Sequence, residues 1–374
     1  MSFTTLGLSP TLLEALAKQN YTQPYPIQTA AIPVILNKQD VLGIAKTGSG
    51  KTASYVLPIL MNLQRSSITK NRHVNVLVLV PTRELAMQVN EVFQLFSPAL
   101  PNRIKSMAVY GGVSINPQMI ALQNVNVLIA TPGRLIELVE SKAVHLSSVE
   151  TLVLDEADKM LNLGFQEEIN KIFALLPKKR QNLLFSATLS NDLKKINQLV
   201  LDHPVVIKIE DTADDIDQIE QMAYLVSEGN KGPLLRHIIE SNELKQALVF
   251  TSSTYKADHV ADKLRKNGIN ASAIHSKKSQ TARTESLSKF KEGKIRILVT
   301  TDLLARGIDI ELLPCVINYE LPRSPKDYIH RIGRTGRAAS SGKAITFVTP
   351  EDEPHFKVIQ KKMGKKVEQI SWEG

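Results

Sequence analysis

The stretch Ala45-Lys46-Thr47-Gly48-Ser49-Gly50-Lys51-Thr52 sits between an aliphatic run, residues 40–44, and a helix-like segment, residues 52–63. Strand, glycine-rich turn and helix in that order form the context in which such a turn binds phosphate. Gly48 and Gly50 let the backbone bend so that successive N–H groups face one anion, and the positive end of the helix dipole adds to the attraction. In that geometry the Lys51 ammonium reaches the β- and γ-phosphates and the Thr52 hydroxyl ligates Mg2+. Ala45 stands where the motif usually has its first glycine, and a small residue is tolerated there. A turn ending by chance in Lys-Thr is the competing reading, and the flanking strand and helix weigh against it. The chain is expected to be an α/β protein that binds a nucleoside triphosphate.

Outward from this loop, short aliphatic runs alternate with longer helix-like segments. The runs are residues 40–45, 76–81, 127–131, 151–155, 182–186 and 205–209, followed by a second series at 247–251, 271–275, 295–300, 316–319 and 344–348. This alternation predicts repeated β-α-β units and parallel sheets covered on both faces. Between the two series lies Glu210-Asp211-Thr212-Ala213-Asp214-Asp215-Ile216-Asp217, acidic throughout and without apolar periodicity. It reads as a solvated linker. The expected organisation is a first domain over 1–208, a linker at 209–218 and a second domain over 219–374.

Of the 374 residues, 43% are hydrophobic but only 5% aromatic, so the cores are aliphatic. The formal charge is +9, with 20 basic against 14 acidic residues before the linker and 26 against 18 after it. Both domains are thus basic while the linker is not, which fits one polyanion lying across both. The single cysteine, Cys315, excludes an intrachain disulfide and reads as a buried strand residue. The start of the chain lacks the basic and apolar pattern of a secretory signal, and no run approaches the roughly 18 apolar residues of a membrane span. A cytoplasmic location is expected.

A second motif, Asp155-Glu156-Ala157-Asp158, ends the run 151–155. A carboxylate at the C-terminal edge of a parallel strand sits where ligands of open α/β sheets bind. Asp155 is expected to hold Mg2+, mostly through water, and Glu156 to orient and deprotonate the attacking water. A third, His330-Arg331-Ile332-Gly333-Arg334-Thr335-Gly336-Arg337, places Arg334 and Arg337 three apart on a helix-like turn. Supplied from the other domain, they would stabilise the transferring phosphoryl group, an effect worth ~10³–10⁵ in rate.

These motifs, in this order, resemble the DEAD-box RNA helicases of superfamily 2, whose name residues 155–158 spell. The resemblance runs from Phe3 to about residue 349 and is strongest toward compact bacterial RhlE-like members. It implies two tandem RecA-like (P-loop) domains, ATP and Mg2+ as cofactors, RNA as partner and a monomer that unwinds short duplexes. Within Tyr21-Thr22-Gln23-Pro24-Tyr25-Pro26-Ile27-Gln28, similar to the family's Q motif, it implies that Tyr21 stacks on adenine and Gln28 bonds its Hoogsteen edge. The whole loop Ala45, Lys46, Thr47, Gly48, Ser49, Gly50, Lys51 and Thr52 then holds nucleotide. Ser186 and Thr188 resemble the motif coupling hydrolysis to unwinding, with His330 between them and the ATP site. Gly307 is implied at the phosphates and Asp309 at the ribose.

RNA contacts carried over by likeness are Pro81, Thr82, Arg83, Gly111, Gly112, Thr131, Pro132, Gly133 and Arg134 in the first domain. In the second they are Phe250, Gln280, Arg283, Thr300 and Thr301. Their chemistry suits a sugar-phosphate track more than base stacking. Three positions depart from the family pattern: Lys46 for the common Gln, Asn20 for Gly and Ser276 for Gly. None removes a catalytic group, and Asn20 tolerates a left-handed backbone. Two other functions stay open at this point: an ATP-gated RNA clamp or adaptor with little hydrolysis, and a general nucleic-acid-stimulated ATPase.

Overall fold

The computed structural model describes residues 2–46, 48–64, 71–188, 200–209, 219–302, 313–335 and 342–372. The chain divides into two compact units, Met1–Asp211 and Thr212–Gly374. In the first, the described elements run α1 (Pro10–Lys18), α2 (Pro26–Leu36), β1 (Val41–Ile44), α3 (Lys51–Leu63), β2 (Val76–Leu79), α4 (Arg83–Phe96), β3 (Ser106–Val109) and α5 (Ile115–Ala121). They continue through β4 (Val127–Ala130), α6 (Pro132–Glu140), β5 (Thr151–Leu154), α7 (Ala157–Asn162), α8 (Gln166–Leu175), β6 (Gln181–Ser186) and β7 (Val205–Lys208). The second unit carries β8 (Ile219–Leu225), α9 (Lys231–Ser241), β9 (Ala247–Thr251), α10 (Thr254–Lys266), β10 (Ala271–Ile274) and α11 (Gln280–Lys291). Then come β11 (Ile297–Thr301), β12 (Cys315–Asn318), α12 (Pro325–Ile332), β13 (Gly342–Val348), α13 (Glu353–Met363) and β14 (Glu368–Ser371).

Each unit is built on one seven-stranded sheet, ordered β3-β4-β2-β5-β6-β1-β7 and β10-β11-β9-β12-β13-β8-β14. Every pairing in both sheets is parallel. The aliphatic runs are continuous because successive side chains feed opposite faces, and both faces are covered. In the first unit Val76, Val78, Val127 and Ile129 enter the core under α1 to α4. Their neighbours Leu77, Leu79, Leu128 and Ala130 enter the core under α6 to α8. Fully burying one such side chain contributes roughly 1.5–3 kcal/mol, so mutual cover by helices dominates the sheet's stability.

Of the fourteen strands among the described residues, three escaped the sequence reading: β3, β8 and β14. β3 and β14 are the outer strands of their sheets and β8 lies next to β14. They are only partly covered, with polar residues such as Gln221, Glu368 and Gln369 at exposed or half-exposed positions. A strand shielded on one face needs no unbroken aliphatic run. Cys315 lies in β12, buried as expected, and burial pushes its thiol up to about 12. Asn20 takes the left-handed backbone its side chain tolerates, at φ 59°.

Candidate active site

The sheet topology gathers the motifs of the first unit at one edge of its sheet. The phosphate-binding loop follows β1, Pro81-Thr82 follow β2, Thr131 follows β4, Asp155-Glu156 follow β5 and Ser186 ends β6. All lie at C-terminal strand ends, where loops of parallel sheets form binding sites.

Gly50, at φ 85°, is the N-cap of α3. A Cβ there would approach Gln28 Nε2 to 2.5 Å, so close packing and backbone both require glycine. Gln28 spans two elements: its Oε1 accepts from Tyr25 N–H at 2.9 Å and its Nε2 donates to the Gly50 carbonyl at 3.1 Å. One amide therefore locks the start of α2 to the phosphate loop, while its second N–H and second lone pair stay chemically available. The Tyr21 ring is half-buried and meets Phe96 edge-on, with centroids 5.6 Å apart, which fixes its orientation.

Lys51 is buried, and its Nζ donates to the Ala45 carbonyl at 2.5 Å and the Lys46 carbonyl at 2.7 Å. Burial lowers its pKa, against the opposing pull of Asp155 and Glu156. Asp155 is 2% exposed. Its Oδ2 accepts from the Tyr55 hydroxyl at 2.8 Å and its Oδ1 from the Glu156 N–H at 2.9 Å. Burial pushes the Asp155 carboxyl up to about 6, with Lys51 opposing and Glu156 reinforcing.

Glu156 has a left-handed backbone, φ 52° and ψ 45°. This conformation disfavours a side-chain-bearing residue other than Asn or Asp and points to a functional constraint. Its Oε1 is held by Lys159 Nζ at 2.6 Å, and its buried Oε2 has no hydrogen-bond partner among the described residues. Asp158 turns the other way, its Oδ2 accepting from the Thr188 hydroxyl at 2.8 Å. Ser186 donates to the Thr188 carbonyl at 2.9 Å, so this segment is tied to the acidic turn.

The donor set suits Mg2+. That ion uses one or two carboxylates plus substrate phosphates rather than a full protein cage.

Along the candidate RNA track, Thr82 caps α4, its hydroxyl accepting from Leu85 N–H at 3.3 Å. The Arg83 guanidinium lies directly against Gly112. Gly111 and Gly133 have open space where a side chain would stand, Pro81 and Pro132 are buried, and Thr131 is the N-cap of α6. Arg134 is buried: its Nε meets Glu137 at 2.8 Å and its Nη2 donates to the Val113 carbonyl at 2.8 Å. It ties α6 to the loop after β3, a task the sequence reading did not foresee.

In the second unit Phe250 is buried beneath the Arg331 guanidinium, 4.9 Å from its ring centroid. Its ring is core, and only its backbone remains for a ligand. Gln280 opens α11 and accepts from Arg283 Nη2 at 2.5 Å. Thr300 is buried, its carbonyl accepting from the Thr251 hydroxyl at 3.3 Å, and Thr301, half-buried, ends β11.

Arg331 grips Asp302 with two nitrogens at 2.5 and 2.7 Å and also reaches Asn318 Oδ1 and the Glu320 carbonyl. It thereby fixes α12, which carries His330, to the end of β11. The helix stops at Ile332, and Arg334 sits buried in the turn beyond, its N–H donating to the Arg331 carbonyl at 3.2 Å. Thr47, Gly307, Asp309 and Arg337 lie outside the described residues.

With this geometry in place, comparison with known proteins is decisive. The DEAD/DEAH box helicase profile matches residues 25–196 and the helicase conserved C-terminal domain profile matches residues 230–339. The DEAD-box ATP-dependent RNA helicase CshA of Geobacillus kaustophilus is 38% identical over 370 residues, covering 99% of this chain and 78% of the relative.

The chain belongs to the DEAD-box ATP-dependent RNA helicases.

Another DEAD-box relative, RhpA of Helicobacter pylori, is 38% identical over 98% of this chain and 73% of its own length. Among solved structures, S. cerevisiae Dbp5 bound to RNA and ADP BeF3 matches with a TM-score of 0.86 and 30% identity, covering 99% of this chain and 95% of that one. A DEAD box protein from Methanococcus jannaschii matches with a TM-score of 0.56 and 36% identity over 99% of both chains. The two seven-stranded sheets are the tandem RecA-like domains of DEAD-box proteins.

Proposed function

We propose that this DEAD-box protein hydrolyses ATP when RNA is bound, and that closure of its two units on both ligands pulls short duplexes apart. The observation that carries the proposal is that the chemical groups are divided. Lys51, Asp155 and Glu156 belong to one unit, and His330, Arg334 and Arg337 to the other. Segment 209–218 serves as the linker between domains 1–208 and 219–374.

In this reading the ammonium of Lys51 leaves the Ala45 and Lys46 carbonyls for the β- and γ-phosphates of ATP. Tyr21 and Gln28 take the adenine, Thr47, Gly48, Ser49 and Gly50 the phosphates, and Asp309 the ribose. Glu156, steadied by Lys159 on one oxygen, offers the other to the attacking water and takes its proton. Arg334 and Arg337 balance charge on the transferring phosphoryl group when the units close. Thr52 and Asp155 would hold Mg2+, which supplies positive charge to the phosphate oxygens. Thr188, bonded to Asp158, carries the state of the acidic turn toward His330.

RNA lies along the backbone track described above, with Arg134 and Phe250 supporting it from beneath. No helix among the described residues is long and apolar enough to cross a membrane. A cytoplasmic monomer placed beside the RhlE-like members completes the proposal.

Steady-state ATPase with no nucleic acid, with single-stranded RNA and with matched DNA tests it, beside a Glu156→Gln control. The expected result is strong stimulation by RNA alone, lost in the control while nucleotide binding persists. Equal stimulation by DNA would make the protein a general nucleic-acid motor, and RNA binding without turnover would make it a clamp.

A further inference from the structure

Tyr55 is fully buried in α3, one turn beyond the phosphate loop, yet it carries a hydroxyl where a phenyl ring would pack equally well. Its ring already packs at 5.3 Å from that of Phe185 in β6. The hydroxyl donates to Asp155 Oδ2 at 2.8 Å, across a hundred residues of sequence, and Thr52 stands three residues before Tyr55 in the same helix. The Glu156 N–H takes Asp155's other oxygen, so the carboxylate cannot rotate. One phenol therefore ties a side chain assigned to the metal, Asp155, to the helix that carries the other, Thr52.

We propose that Tyr55 is a positioning residue for the metal, holding the Asp155 carboxylate against the helix that carries Thr52, in the arrangement that Mg2+ and its bound waters require. This inference rests on the nucleotide and metal site proposed above. A carboxylate in a buried site needs donors to stay oriented, and a hydrogen bond to a charged group is among the stronger ones. Supplying that donor from α3 makes the metal ligands a unit before any ligand arrives. Tyr55 does not touch substrate, so its contribution is expected in the metal requirement and not in the grip on the nucleotide itself.

The test is Tyr55→Phe in the full chain, which keeps the ring and removes one oxygen. A fluorescent ADP analogue is titrated at rising Mg2+ and again in EDTA, with thermal unfolding of the ligand-free protein recorded beside it. The expected result is a Mg2+ midpoint raised roughly tenfold or more, from the loss of one charge-assisted bond, with unchanged affinity in EDTA. Tyr55→Leu, which also removes the ring, is expected to lower the unfolding temperature and so report what packing alone does. An unchanged Mg2+ midpoint in Tyr55→Phe overturns the inference. Equal loss of affinity with and without Mg2+ also overturns it, because Tyr55 would then only support the loop. Should the unaltered chain bind the analogue with no response to Mg2+, the metal site itself fails and the inference falls with it.

Discussion

Gly50 shows how one residue can be required twice. Its positive φ suits glycine, and the Gln28 amide occupies the space a Cβ would enter. Gly50→Ala must therefore strain the turn and push Gln28 away, at a cost of about 1–3 kcal/mol. Titration with a fluorescent nucleotide should show affinity falling by tenfold or more, while the helical circular dichroism signal stays unchanged. The loop was legible in the sequence because its chemistry is local: glycines, a lysine and a hydroxyl within eight positions. Tyr55 was not, because a tyrosine inside an amphipathic helix looks like core, and its partner Asp155 becomes its neighbour only after folding. Arg134 and Phe250 show the converse. Their positions near the track were readable, but their burial depends on Val113 and Arg331, which come from other segments.

Among the elements, the end of β12 leads into a cluster of paired charges. Glu320 accepts from the N–H and hydroxyl of Ser252 at 2.7 Å and pairs with Lys256, which also meets Glu228 at 2.9 Å. Burial pushes Glu320 up, but its bonds to Lys256 and Ser252 outweigh this and hold it below the ordinary value of 4.5. Burial likewise opposes, and Lys231 and Lys256 overcome, in lowering Glu228. A carboxyl with a depressed folded pKa contributes stability that is complete above its unfolded value and vanishes as pH falls through the folded one. Urea unfolding should thus find Glu320→Gln less stable than the unaltered chain at pH 7, with the gap closing below about pH 4.5. The strands themselves were legible wherever both faces are covered. β8 and β14 were not, because partial cover lets polar residues stand among apolar ones, and that pattern also occurs in loops; β3 is a short run at the sheet edge that holds only one strongly apolar branched residue, Val109.

At the scale of the whole molecule, splitting the phosphate groups and the arginines between units makes turnover a property of both together. A fragment spanning 1–208 is expected to bind nucleotide but to show none of the RNA-stimulated ATPase of the full chain, measured by phosphate release. A full rate from that fragment alone would remove any catalytic part for Arg334 and Arg337. The doubling of the fold was readable from two series of aliphatic runs around an acidic gap. The order of strands within each sheet was not, since runs announce strands but not their neighbours.

That order governs how the protein emerges from a ribosome. β1, which delivers the phosphate loop, has as its neighbours β6 and β7, the last two strands of its sheet. β8, which opens the second sheet, likewise lies between β13 and β14. Each unit thus begins with a strand that waits for its own end. Until residues 181–208 have been synthesised, the aliphatic side chains of β1 have no sheet partner and the loop beyond it has no fixed edge to stand on. The sheet position of the nucleotide loop is therefore defined only by strands from the far end of the first unit. An incomplete nascent chain carries the whole phosphate-binding sequence yet lacks the two strands that flank β1 in the finished sheet.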